Sequence, residues 1–253
     1  MTDGPTRFAR FALPPNELGY CGPDDRVALF EYGASGVVDA GLRALAAAFD
    51  GAWPYLELIA GAHGIRDPLD GRVVDAYWLG GPLLDGLPTS LMGQSLDDRF
   101  RSRAGARWRA LAESVTPRTR LSHGFHVFSV YPWVGLLRSG SVEHPLHVLD
   151  RCRIRWGRVV EVRADEVTVE THLLTWDGSR LALGEPVLEE ARRGHDGVTL
   201  VDLQVGDDAA LHWDWVCERL DRHRLASLRR DTIHQLAAVN RDLTLSGPAK
   251  LLG

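Results

Sequence analysis

A chain of 253 residues that is 45% apolar and 25% charged can build one large core or two modest ones, which excludes a disordered or membrane-embedded class. The net charge is -5, and Lys250 is the only lysine, so no basic stripe is available for a nucleic-acid backbone. Cys21, Cys152 and Cys217 are odd in number and far apart, which excludes a disulfide-stapled secreted domain. The opening MTDGPTRFAR carries no apolar signal core, and no apolar run reaches the roughly eighteen residues of a membrane span. A cytoplasmic location without a membrane or nucleic-acid partner is therefore expected.

Alanine and leucine at helical spacing from Ala34 to Phe49 predict a helix, with Ser35 as its cap and Pro54 beyond its end. WPYLELIAGAHG and GRVVDAYWLGG predict two more, each closed by glycine and separated by the turn text RDPLDG. A further helical pattern runs from about Leu96 to Glu113, with arginines among Phe100, Trp108 and Leu111. The aromatic stretch Leu121–Arg138 reads as a loop or short strand leading into a helix begun near Pro132. Residues 1–138 are thus expected to form a helical domain, with SGSVEHP (139–145) as a linker.

Beyond the linker the apolar period shortens to two. RVVEVRAD and EVTVETHLLTW predict a hairpin turning at Ala164 and Asp165, and further strands are predicted at RLALGEPVLEEARR, VTLVDL and DAALHWDW. The text from CERLD onward predicts a terminal amphipathic helix starting near Asp221. The predicted fold class is α+β: an all-helical N-terminal region, then a small OB-like β-barrel with a C-terminal helix over residues 146–253.

Two residues of the barrel half stand out chemically. Cys152 precedes the first strand and His212 lies on the last, so the two could meet at one barrel edge. A thiolate and an imidazole suit iron, copper or zinc, but two ligands leave a site open. The competing reading makes Cys152 a small buried hydrophobe and His212 a hydrogen-bonded core residue.

His123 and His126, like His144 and His147, are spaced by three, which on a helix would place both rings on one face. Gly124 and Pro145 argue against helices there, and packing is the expected role. His126, Tyr131 and Trp133 read as an aromatic seam between the helical part and the barrel. His123, His126, His147 and Cys21 remain candidate additional metal ligands. Trp156, Trp213, Asp214 and Trp215 are either packed on the barrel or a partner-docking edge. The adjacent carboxylates Glu189 and Glu190 read as solvated charge.

The C-terminal third also carries anchors in a suggestive order. Cys152, Trp156, Gly157 and Val159 are followed by Gly206 and Asp207, then His212, then the helix text LDRHRLASLRRDTIHQL. In this order they resemble the small hydrogenase-formation chaperones of the HypC and HupF type, with Trp156 standing where that family has proline. The whole chain also resembles an uncharacterised bacterial family found near nickel-iron hydrogenase genes. The resemblance implies that Cys152 and His212 transiently hold an iron fragment bearing cyanide and carbon monoxide. It also implies a hydrogenase large-subunit precursor, or another maturation protein, as partner. A non-enzymatic accessory protein for metallocentre assembly is the resulting expectation; a metalloenzyme with a His/Cys cluster and a structural interaction protein are the alternatives.

Overall fold

The computed structural model describes residues 2–85, 87 and 119–245, so the helix expected over 96–113 lies outside the described residues. The chain divides into two compact units between Phe125 and His126. In the first unit the described elements are helical: α1 (Gly4–Glu17), α2 (Ala28–Ser35), α3 (Ala40–Ala47), α4 (Trp53–Ala62), α5 (Gly71–Leu79) and a short turn, α6 (His123–Phe125).

Helix α1 is the buried axis of this unit. Asp3 caps it by accepting from the Thr6 N–H at 2.8 Å, and Pro5 sits in the first turn, where its missing N–H costs nothing. Phe8 and Phe11 are fully buried, Phe8 edge-on to Phe49 at 5.5 Å and Phe11 stacked on Trp78 at 5.4 Å. Buried Arg7 is paired with Asp75 at 2.9 Å. The start of α1 lies so close to the α5 entry loop that a Cβ on Gly4 would stand 2.0 Å from the Leu69 carbonyl oxygen.

The single helix expected over Ala34–Phe49 is two. Gly36 takes the left-handed conformation (φ 67°) that ends α2, and Asp39 starts α3 by accepting from the Leu42 N–H at 2.9 Å. Ser35 is therefore the last residue of α2 rather than a cap, because Asp39, after β-branched Val37 and Val38, offers a better helix start. Helices α4 and α5 match their expected positions.

The second unit opens with a π-helical turn, His126–Val130, in which the Tyr131 N–H reaches back to the His126 carbonyl at 3.3 Å. Helices α7 (Trp133–Arg138) and α8 (Glu143–Cys152) follow. The segment expected as a linker thus contains the first turn of α8, because Pro145 falls where a helix tolerates it. For the same reason both histidine pairs lie on helical turns, contrary to the expectation drawn from Gly124 and Pro145.

The barrel strands are β1 (Arg155–Val162), β2 (Glu166–Trp176), β3 (Leu181–Arg192), β6 (Asp208–His212) and β7 (Trp215–Leu220), with a separate pair, β4 (Gly194–His195) and β5 (Val198–Thr199). They close in the order β1-β2-β3-β7-β6. All neighbours are antiparallel except β3 and β7, whose parallel closure rests on the pair Arg192 and Trp215. The fifth barrel strand is WVCERL, read from sequence as the lead-in to the last helix, and not VTLVDL. A two-residue turn at Trp213 and Asp214 splits DAALHWDW and pairs His212 with Trp215. Gly206, at φ 94°, makes the turn that launches β6.

Helix α9 (Arg222–Leu245) ends the described chain. Its apolar residues Leu236 and Val239 share a core with Val127, Phe128, Leu137, Leu149, Leu174 and Leu181. Asp221 caps it, accepting from the N–H groups of His223 at 2.8 Å and Arg224 at 2.9 Å. The Arg224 N–H bond is the main reason the Asp221 carboxyl titrates below its ordinary value. A lowered carboxyl contributes stability above the usual carboxylate range and loses it as pH falls through its folded value. Asp221→Ala is expected to cost about 1 kcal/mol at neutral pH in urea denaturation, with the deficit shrinking in acid.

Candidate metal centre

Cys152 is the last residue of α8. The chain leaves the helix at Arg153, which turns to an extended conformation (ψ 148°) while its N–H still reaches the Leu149 carbonyl at 3.2 Å. Just before the thiol, buried Asp150 accepts from the Leu174 N–H at 2.7 Å, at the irregular step of β2, and from the Arg153 guanidinium at 2.9 Å. The end of α8 is thereby fixed to the barrel wall.

His212 is the last residue of β6 and is fully buried. The turn that follows is joined to the end of α8, since the Trp213 N–H donates to the Arg151 carbonyl at 2.8 Å. This one bond links the residue next to Cys152 with the residue next to His212. Accordingly the Cys152 Sγ and a ring nitrogen of His212 lie within 4.8 Å of each other. Two donors on one tetrahedral ion stand about 3.6 Å apart, given bond lengths of roughly 2.3 Å to sulfur and 2.0 Å to nitrogen. Small side-chain adjustments are enough to place one ion between them.

Within its own unit, each remaining candidate has its own neighbours. Within the first unit His123 is buried, its ring 4.7 Å from that of Trp78, and its Nδ1 is 3.5 Å from the Tyr77 hydroxyl. That hydroxyl donates to the Gly51 carbonyl at 3.0 Å, so toward His123 its oxygen serves as acceptor. The arrangement favours the Nδ1–H tautomer. Cys21 lies in a bend of the first unit, where burial pushes its thiol up to about 12 and disfavours the thiolate a metal needs. His126 is buried edge-on to Tyr131 at 4.7 Å, and exposed His147 lies 6.3 Å from the ring of Trp213.

Trp156, Trp213 and Trp215 are buried, and only Asp214 of the expected docking group is exposed. Arg229 lies over the Trp156 ring at 5.5 Å and Arg192 over Trp215 at 4.0 Å. The indoles therefore pack the barrel, and a docking role that requires exposed rings does not fit them.

Three residues beside the pair were given no part in the site from sequence: Arg151, Arg155 and Glu189. Glu189 accepts from Arg151 at 2.6 Å and also from Arg155, and Arg155 reaches the Trp213 carbonyl as well. The expectation of a solvated carboxylate holds for Glu190, whose side chain is 62% exposed, and fails for Glu189, which is 13% exposed. Its signal in the sequence was the alternation of Arg151, Arg153 and Arg155, charges too closely set at the start of a barrel to remain without carboxylates.

A family model matches residues 1–246, taking in residues of both units. The chain belongs to DUF6390, a family of unknown function. No curated protein and no solved structure matches it. Membership of DUF6390 carries no link to the HypC and HupF chaperones or to hydrogenases, and the expected likeness to an uncharacterised family is the part that stands. Among the described residues of this DUF6390 chain, no helix is long and apolar enough to cross a membrane.

Proposed function

We propose that the protein binds a transition-metal ion through the Cys152 thiolate and the His212 imidazole, and serves as an accessory protein in metallocentre assembly. The observation that carries this reading is the approach of Sγ and ring nitrogen to within 4.8 Å at the joined ends of α8 and β6. Soft sulfur with borderline nitrogen suits iron, and equally zinc or cobalt, over magnesium or calcium. Two protein ligands leave positions for a cargo's own ligands, as a carrier needs. The assignment of iron, carried with cyanide and carbonyl ligands to a hydrogenase precursor, is supported by the order of Cys152, Gly206, Asp207 and His212 alone.

Anaerobic purification followed by metal analysis and infrared spectroscopy tests both levels. Wild-type protein is expected to retain close to one metal per chain, and folded Cys152→Ala to retain less than about a tenth of that, as removal of a direct ligand implies. Equal metal in the two proteins would remove Cys152 from the site. Diatomic-ligand bands would support the iron-fragment cargo, and metal without such bands would limit the function to simple metal binding.

A further inference from the structure

We propose that Glu189 is a positioning residue for the metal pair, holding Cys152 and His212 at ligating distance through Arg151 and Arg155; this rests on the metal reading above. The starting observation is backbone strain. Trp213 adopts φ 52°, a left-handed conformation that a bulky residue occupies only when its surroundings impose it. A two-residue turn with this conformation sets the direction in which the end of β6, and so His212, is presented.

The restraint on that turn comes from both sides of the pair. On the Cys152 side, the Arg151 carbonyl accepts the Trp213 N–H at 2.8 Å, and the Arg151 guanidinium lies 3.4 Å from Asp214. On the barrel side, buried Arg155 of β1 donates to the Trp213 carbonyl. One carboxylate serves both cations: one Glu189 oxygen accepts from Arg151 at 2.6 Å, and the other accepts from Arg155. Arg155 is 1% exposed, so its charge depends on near partners more than on water.

Glu189 thus joins the residue preceding the thiol to the residue holding the turn after the imidazole. Removing its charge leaves two neighbouring guanidiniums to repel each other. The end of α8 and the β6–β7 turn then separate, and the ligand pair widens. Neighbouring Glu190 pairs with exposed Arg163 at 2.7 Å and has no such connection, which makes it the internal control.

The test is titration of cobalt(II) into anaerobic full-length protein, read by the sulfur-to-cobalt charge-transfer band, which reports thiolate ligation directly. Wild type and Glu190→Gln are expected to give the same band and affinity. Glu189→Gln is expected to fold, to bind cobalt about 10–100-fold more weakly and to show a weakened or shifted band. If that variant fails to fold, Arg151→Gln, which frees the helix arm alone, is expected to change the band in the same direction. Wild-type affinity and band in a folded variant of either kind would overturn the positioning role. Absence of any thiolate band in wild type would overturn instead the metal reading beneath it.

Discussion

Replacing Asp150 by alanine is expected to destabilise the second unit by about 3–5 kcal/mol, the usual cost of removing one partner from a buried ion pair. Arg153 is only 2% exposed, and its Nε and Nη2 lie 3.2 and 2.9 Å from the Asp150 carboxylate. Burial lowers the Arg153 pKa and the carboxylate acts against that effect. Without Asp150 the guanidinium keeps its bond to the His172 carbonyl, at 2.6 Å, but loses its countercharge. The Leu174 N–H loses its acceptor too. Asp150→Asn retains an acceptor oxygen and removes only the charge, so a smaller loss of about 1–3 kcal/mol is expected. Urea denaturation of the two variants separates the terms; equal losses would show that the charge, which both variants lack, dominates over the hydrogen bond to Leu174.

Phe8→Ala is expected to cost about 3–5 kcal/mol in the first unit. The ring is fully buried, with Phe49 at 5.5 Å and Trp78 at 6.1 Å, and α1 runs through the middle of its neighbours, leaving little freedom to collapse around the cavity. Phe8→Leu, which keeps most of the volume, is expected to lose less than about 1.5 kcal/mol. Because Trp78 touches Phe8, its fluorescence reports the unfolding. A loss below about 1 kcal/mol for Phe8→Ala would mean that the unit repacks freely, contrary to a rigid α1 axis.

The helix that carries Phe8 was the hardest element to see in the sequence. Its text, GPTRFARFALPPNE, contains three prolines and begins with glycine, residues that ordinarily mark the edge of a helix, and here the prolines fall in its first and last turns. Ordinary start and stop residues marked α4 and α5, whereas the proline-rich ends of α1 hid its helical spacing. The β-half was plainer. Strict alternation over residues 166–176 gave β2 to the residue, whereas β7 was missed since WVCERL places charge late in the strand and runs straight into a helix cap.

The same contrast holds at the candidate centre. Cys152 and His212 were legible as chemistry, being a thiol just before the first barrel strand in the sequence and an imidazole late in the barrel text. Their meeting at one barrel edge was expected, but the means of it was not legible, because it depends on Trp213 taking a left-handed conformation and on a hydrogen bond to Arg151 across sixty-two positions of chain. Nor was Cys152 recognisable as a helix terminus. Pro145 looked like the end of structure and was in fact the first turn of α8. Sequence patterns report local preference; the ion pairs of Arg151 and Arg155 with Glu189 are long-range choices, visible only once β3 is placed.

Closing a barrel through the one pair Arg192 and Trp215 has a consequence for how the chain avoids its own kind. Among the described residues β3 has a strand partner on one side only along most of its length, and such an edge invites another chain to add a strand. The edge is defended at each step. The Asn240 side chain of α9 occupies both the N–H and the carbonyl of Leu181 at 2.9 Å, as a neighbouring strand would. Pro186 offers no N–H at all, and the exposed Glu185 and Glu190 bracket the exposed apolar pair Val187 and Leu188 with charge. The strand that carries the carboxylate proposed to hold the ligand pair is thus the same strand whose exposed residues guard the protein against aggregation.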